Sequence, residues 1–423
     1  MNPDFKTTDW ARTAAIYEVN TRQYTTEGTF EAFGRHLPRL QEMGITILWF
    51  MPIHPVGQKN RLGSLGSYYS IQDYKAVNPE FGNLGDFKNL VSKAHQLGFR
   101  VIIDWVANHT SWDHVWTYTD KEFYKLDGNG NFQSPYDWSD VIQIDHQSEA
   151  QQAAMINAMR YWVRETDIDG FRCDMAHLVP LPFWFRARKE LDSLKPLFWL
   201  AETEDASYHE VFDATYTWEF LHKMEQFWRG QAGTAGLDEV LYKYNDSFPA
   251  DALRVYFTSN HDENSHSGSE YERLGDSAKA FAVLCATWNG LPLVYSGQEL
   301  PNKKRLKFFD KDEIEWQSPV ALQSFYKTLL ELHNQHPALK AGHPDVVTYR
   351  ITTSDTRAFC FLRKNGEREV LVILNLTAGW LSFSLDDRAV AGQFTDLFSG
   401  ALMEMTYPEL FHFSAWDYKI LVK

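Results

Sequence analysis

The chain has 423 residues, 44% of them hydrophobic and 23% charged, with a formal net charge of −15. That length supports a barrel-sized domain plus a smaller one, and the composition is that of a folded protein rather than a disordered one. The acidic excess argues against nucleic acid and anionic membrane as partners, since both need a basic face, and is compatible with a neutral substrate.

No run approaches the ~18 apolar residues of a membrane span. The start, MNPDFKTTDW, shows no basic region leading into an apolar stretch. A cytoplasmic location is therefore expected, or a secreted or periplasmic one with its leader removed. Cys173, Cys285 and Cys360 are far apart, odd in number and without metal-ligand spacing, and read as buried thiols outside any disulfide framework. The aromatic share of 15% suits sugar stacking and core packing equally.

In chain order, short apolar runs alternate with helical patterns. AAIYEVN, from residue 14, reads as a strand; FEAFGRHLPRLQEM follows as a helix and GITILWFMPI, 44–53, as the second strand. DFKNLVSKAHQLG leads to FRVIIDWV, 99–106; AQQAAMINAMRYWVRET leads to GFRCDM; then come LFWLAE, 197–202, a weaker FDATYTW, LRVYFTSN, 253–260, and LPLVYSG, 291–297. Continuous apolar runs are what strands covered on both faces look like. Eight of them alternating with helices predict an α/β fold, a (β/α)8 TIM barrel. A doubly wound open sheet is the rival, weakened because no Gly-rich phosphate loop follows the first strand.

Two segments break the rhythm. Residues 110–145, rich in Trp, Tyr, Asp, Gly and Asn, are too long for a simple loop and read as a small insert domain over one end of the barrel. From residue 343 the pattern changes to short alternating runs such as VVTYRITT, EVLVILNLT and WLSFSL, separated by Asn, Gly and Asp. The predicted organisation is a catalytic barrel over 1–342, interrupted by the insert, and a C-terminal antiparallel β-sandwich domain over 343–423.

Polar residues gather at the predicted strand ends: Asp104, Asn108 and His109 at the third, Arg172 and Asp174 on the fourth, Glu202 on the fifth, and Asn260, His261 and Asp262 after the seventh. Arg172 and Asp174, two apart on a strand, point to the same face; alone they are either a buried ion pair or part of a site. Each histidine could equally be a satisfied core imidazole. The joint pattern is harder to dismiss, because a closed barrel brings the C-terminal ends of its strands to one mouth. Breaking an acetal needs a proton for the leaving oxygen and negative charge near an oxocarbenium-like carbon. Clustered carboxylates repel, so at least one should hold its proton near neutral pH, and Arg172 is expected to keep Asp174 ionised.

Four motifs in this order, DWVANH (104–109), GFRCDMAH (170–177), LAETE around Glu202 and FTSNHD (257–262), resemble those of the α-amylase family, glycoside hydrolase family 13. The flanking IYEVNTRQY, GSYYSIQDYKAVNPEFG and GLPLVYSGQE agree, and the resemblance covers essentially the whole chain. It implies a retaining α-glycoside hydrolase acting on α-1,4-linked glucans or maltooligosaccharides. Asp174 would be the nucleophile, Glu202 the general acid/base and Asp262 the third carboxylate. Arg172 would orient the nucleophile, His109 and His261 would bind sugar hydroxyls, and Tyr69 would stack on the sugar, with Tyr68 as the alternative. Ala176 stands where the family often has a lysine before His177, which puts a preference for long polymers in doubt. The family often holds a structural calcium with an asparagine that Asn108 matches; its usual acidic partner falls at Gln143, with Asp145 nearby. A transglycosylase, an α-glucosidase or a sucrose- or trehalose-acting enzyme remains open on this fold, as fold does not settle substrate. A non-catalytic carbohydrate-binding protein is the reading from another class; the presence of Arg172 and all three carboxylates argues against it.

Overall fold

The computed structural model describes residue 5 and residues 8–423. Eight parallel strands close into a barrel: β1 (Ile16–Val19), β2 (Ile47–Phe50), β3 (Arg100–Val106), β4 (Gly170–Asp174), β5 (Phe198–Ala201), β6 (Ala214–Tyr216), β7 (Leu253–Phe257) and β8 (Leu291–Tyr295). Each pairs with its neighbour in sequence, and β8 returns to β1 with Ile16 opposite Leu293. Every strand of the expected barrel is present, including the weak sixth one.

The period of two divides these strands between two environments. Phe171, Cys173, Val101, Ile103, Trp105 and Trp199 pack outward with helix residues such as Trp162 and Trp184. Their alternates Ile16, Ile47, Ile102, Phe198, Leu200 and Val255 belong to a second cluster that fills the barrel. One step further toward the C-terminal ends of the strands, the inward positions turn polar: Glu18, Asp104 and Arg172 are all fully buried. That change of layer, apolar floor to charged rim, places the candidate site.

The stretch FEAFGRHLPRLQEM, read as one helix, is split into Phe30–Gly34 and Leu37–Glu42. Pro38 lies in the first turn of the second piece, where its missing N–H is harmless but an unbroken helix is not tolerated. Between β3 and the helix Glu149–Thr166 the chain forms a small antiparallel ribbon, His109–Ser111 against Val141–Gln143, with a single helical turn at Trp116–Thr119. Beyond the barrel, a six-stranded antiparallel sheet faces a two-stranded one, Leu381–Leu385 with Glu409–Phe413. Strand Ala358–Asn365 explains how the domains join: Phe359 and Phe361 pack with Trp288 in the barrel's cluster, while Cys360 and Leu362 pack between the two sheets. All three cysteines are buried and free. Among the described residues, no helix is long and apolar enough to cross a membrane.

Gly170 opens β4, and a β-carbon there would lie 2.0 Å from the carbonyl oxygen of Phe198 on β5. Gly170→Ala should therefore cost about 2–3 kcal/mol, because two backbones cannot separate without disturbing the barrel. Urea unfolding checks this; a loss below about 0.5 kcal/mol would show that the strands yield.

Candidate active site

Arg172 is the centre of the rim. Its Nη1 lies 3.1 Å from Asp104 Oδ1 and 3.1 Å from Asp174 Oδ1, its Nη2 lies 2.9 Å from Glu202 Oε2, and its Nε donates to the Tyr216 hydroxyl at 3.1 Å. These partners come from β3, β4, the residue after β5, and β6. The guanidinium carbon sits 4.9 Å from the Trp49 ring, whose Nε1 donates to Asp104 Oδ2 at 3.1 Å. Glu202 is also held from the backbone: the Met175 N–H donates to its Oε2 at 2.8 Å. Met175 adopts φ 42°, a left-handed conformation that a side-chain-bearing residue keeps only where its surroundings impose it.

A second arm begins at Tyr69. Its hydroxyl lies 3.1 Å from Asp104 Oδ2 and 2.7 Å from His261 Nε2. His261 Nδ1 contacts Glu18 Oε1, and Nε2 approaches Asp262 Oδ2 at 3.3 Å. Glu18 is fully buried, whereas the Asp262 side chain is 40% exposed at the mouth. The rings of Tyr69, His261 and Phe308 stack in one block, with Tyr69 and Phe308 only 12° from parallel.

The structure brings Asp174, Glu202 and Asp262 to one cleft, together with Tyr69 and His109. Arg172 and His261 lie buried beneath it, making the contacts above. Two hollows, of about 380 and 530 Å3, share Met175, Glu202 and Asp262 at their junction. The first is lined by Tyr69 and His109, by Trp138 and Asp140 of the insert, and by Phe308 and Phe309 after β8. The second contains His177, Trp218 and His222. Of the two candidate tyrosines, Tyr69 faces the cleft; Tyr68 donates to Asn20 at 3.0 Å and its ring lies under the Arg22 guanidinium. Ala176 is packed away with its carbonyl bonded to Trp184, leaving His177 as the exposed side chain of that turn. Asn108 lies below the surface, its side-chain nitrogen 3.3 Å from His109 Nδ1.

The charges do not titrate like isolated groups. Burial, and then the neighbouring Glu202 carboxylate, pushes the Asp174 carboxyl well above its ordinary range despite the opposing pull of Arg172. From the sequence alone, Arg172 is expected to keep Asp174 ionised. In the free site, however, the guanidinium is divided among three carboxylates, and burial outweighs its share. Asp104 is likewise pushed up by burial, to about 6. Burial works against a charged His261, but Asp262 and Glu18 outweigh it and hold the ring at about 9. Burial alone depresses His109 to about 4, so that imidazole is neutral at pH 7.

Several rim residues were not singled out from the sequence: Glu18, Trp49, Tyr216, Trp138 and Phe308. Asp104 reads from the sequence only as a strand-end acid. Glu18 carried the same signal as Arg172, a charged residue inside an apolar strand. Trp49, Tyr216, Trp138 and Phe308 look like ordinary core or loop aromatics until the chain is folded.

A family profile for the alpha-amylase catalytic domain matches residues 4–142. The chain is 26% identical over 388 residues to alpha-amylase MalA of Haloarcula japonica, covering 86% of itself and 56% of that protein. It thus spans little more than half the length of that relative. Among solved structures, a noncanonic maltogenic alpha-amylase, AmyB, from Thermotoga neapolitana is 30% identical, with 97% of this chain and 99% of that one covered at a TM-score of 0.90. An alpha-amylase from Lactobacillus plantarum is 26% identical, with coverage of 98% and 100% at 0.89. With 30% identity to AmyB along almost the full length of both chains, the same closed barrel, and the carboxylates gathered around Arg172, the protein belongs to the α-amylase family.

Proposed function

We propose that the protein is a retaining α-glycoside hydrolase that cleaves α-1,4-glucosidic bonds in maltooligosaccharides and starch-derived glucans by double displacement. The observation that carries this reading is that one guanidinium binds both Asp174 and Glu202, while Asp262, from a third strand, lines the same cleft. Asp174 attacks the anomeric carbon as Glu202 delivers its proton to the leaving oxygen. Glu202, now a carboxylate, takes a proton from water, which displaces Asp174 and restores both groups. In the free site, burial and the neighbouring Glu202 carboxylate favour a proton on Asp174. The reaction needs that proton on Glu202, and positive charge developing on the sugar favours an ionised Asp174. The sugar being cleaved occupies the hollow of Tyr69 and His109, and the leaving portion lies in the hollow of His177, Trp218 and His222. Asp262 and His261 bind hydroxyls of the cleaved sugar, and Tyr69 gives it an apolar platform.

We also read the protein as independent of calcium. Asn108 Oδ1 is buried without a hydrogen-bond partner among the described residues, but the oxygens around it are a poor set for a hard cation. The Asn108 carbonyl accepts from Ile144, that of Ala107 from His146, and that of Gln143 from Lys125. The Asp145 carboxylate caps the Gln147 N–H. No group of three or more His, Cys, Asp or Glu suited to a metal occurs among the described residues.

Asp174→Asn should lower turnover on maltooligosaccharides by about four orders of magnitude or more with the circular dichroism unchanged, as it removes the nucleophile and not its volume. Turnover within tenfold of the parent would refute the assignment. Glu202→Gln should lose far more on maltooligosaccharides than on aryl glycosides with good leaving groups, which need little protonation; equal losses would remove Glu202 as the acid. Product analysis on starch, maltooligosaccharides, sucrose and trehalose tests the substrate class, and the first product should carry the α anomer. Excess chelator should leave the melting temperature where it was; a fall of several degrees would establish a structural cation.

A further inference from the structure

Glu18 is a buried acid that the mechanism above does not use. It sits in β1 at an inward position, between the apolar Ile16 and the buried, polar Asn20 two residues to either side. Its side chain is fully buried, Oε1 contacts His261 Nδ1, and Oε2 finds no hydrogen-bond partner among the described residues. An acid so placed costs several kcal/mol unless its charge is compensated.

Hydrogen-bond bookkeeping shows what compensates it. Asp104 accepts from Arg172 through both oxygens and from Trp49 through Oδ2, so it acts as a carboxylate with acceptors only. Tyr69, 3.1 Å from the same Oδ2, must then spend its proton on Asp104. That leaves only a lone pair of the Tyr69 oxygen facing His261 Nε2 at 2.7 Å, so Nε2 must be the donor. Nδ1 faces the Glu18 carboxylate and must also donate. A ring that donates from both nitrogens is the imidazolium.

We propose that Glu18 is a positioning residue for the cleft: as the buried counter-ion of His261 it holds that ring doubly protonated, with Nε2–H directed at the point where Tyr69, Asp262 and a sugar hydroxyl meet. The proposal rests on the reading of His261 as a hydroxyl-binding group. The other charged groups facing His261 are Asp262 beside it, Asp104 from β3 and Arg172 from β4; Trp49 of β2 meets it edge-on, and Phe308, which also contacts His266, covers it. Arg172 opposes the ring's charge. Asp262 favours it but is 40% exposed, so water screens its contribution. Glu18 is shielded from water; burial and Asp262 work against its charge, while His261 and Arg172 favour it. Its high-lying partner supports the same view: Asp262 and Glu18 together hold His261 near 9 against burial.

Removing the negative charge of Glu18 lowers the pH at which His261 loses its second proton, so Glu18→Gln should move the basic limb of kcat/KM down by one pH unit or more. Glu18→Asp, which keeps the charge, should leave that limb near the parent's. Imidazole nitrogen NMR, with His261→Gln to assign the ring, reads the same event without turnover. In the parent at pH 7 both His261 nitrogens should be protonated, and in Glu18→Gln the ring should titrate lower. A parent ring that is neutral at pH 7, or a Glu18→Gln protein whose limb and ring titration are unmoved, overturns the proposal. Should Glu18→Gln not fold, the parent spectrum alone decides. A parent without turnover on any α-glucan would defeat the proposed function, while the ring measurement would still judge Glu18.

Discussion

One guanidinium organises this site. Fully buried, Arg172 donates from Nε to Tyr216 and from Nη1 to Asp104 and Asp174, while its Nη2 is ion-paired with Glu202. A buried cation is tolerated only where the geometry of its partners is good, and here the closed barrel supplies that geometry. Asp104, Arg172 and Tyr216 are inward positions on β3, β4 and β6; Asp174 ends β4, and Glu202 follows β5 directly. Three carboxylates around one cation leave an excess of negative charge, so the cluster retains a proton where isolated acids would not. The raised proton affinity of these acids is therefore a consequence of burial and of how the charges are shared, rather than a property of any one residue.

The rim has a second pole. His261, with Glu18 behind it and Asp262 in front, is the cationic counterpart of Arg172, and the Tyr69 hydroxyl joins the two through Asp104. The two poles both lie against Trp49 and Tyr69 and share a polar layer lying directly on an apolar floor. Because most donors and acceptors in that layer are already committed to one another, the arrangement is set before any sugar arrives, which is the condition for electrostatic stabilisation without reorganisation. The walls are supplied differently. Trp138 and Asp140 come from the insert after β3, Phe308 and Phe309 from the segment after β8, and Trp218 and His222 from the helix after β6. The C-terminal sheets contribute no lining to either hollow; they pack on the barrel through Phe359 and Phe361 against Trp288.

Local pattern in the sequence was enough to determine the barrel, the antiparallel domain after it, and the strand ends from which Asp174, Glu202 and Asp262 emerge, because strand burial and strand-end polarity are written in consecutive residues. It did not determine how the charges are shared. That Arg172 serves Asp104 and Glu202 as well as Asp174, so that burial outweighs its pull on the Asp174 carboxyl, depends on residues from different strands meeting around one side chain. The pairing of Glu18 with His261, 243 positions apart, has the same origin. Neither residue betrays the other in sequence; closure of the barrel between β8 and β1 brings them together, and burial then gives the contact its strength.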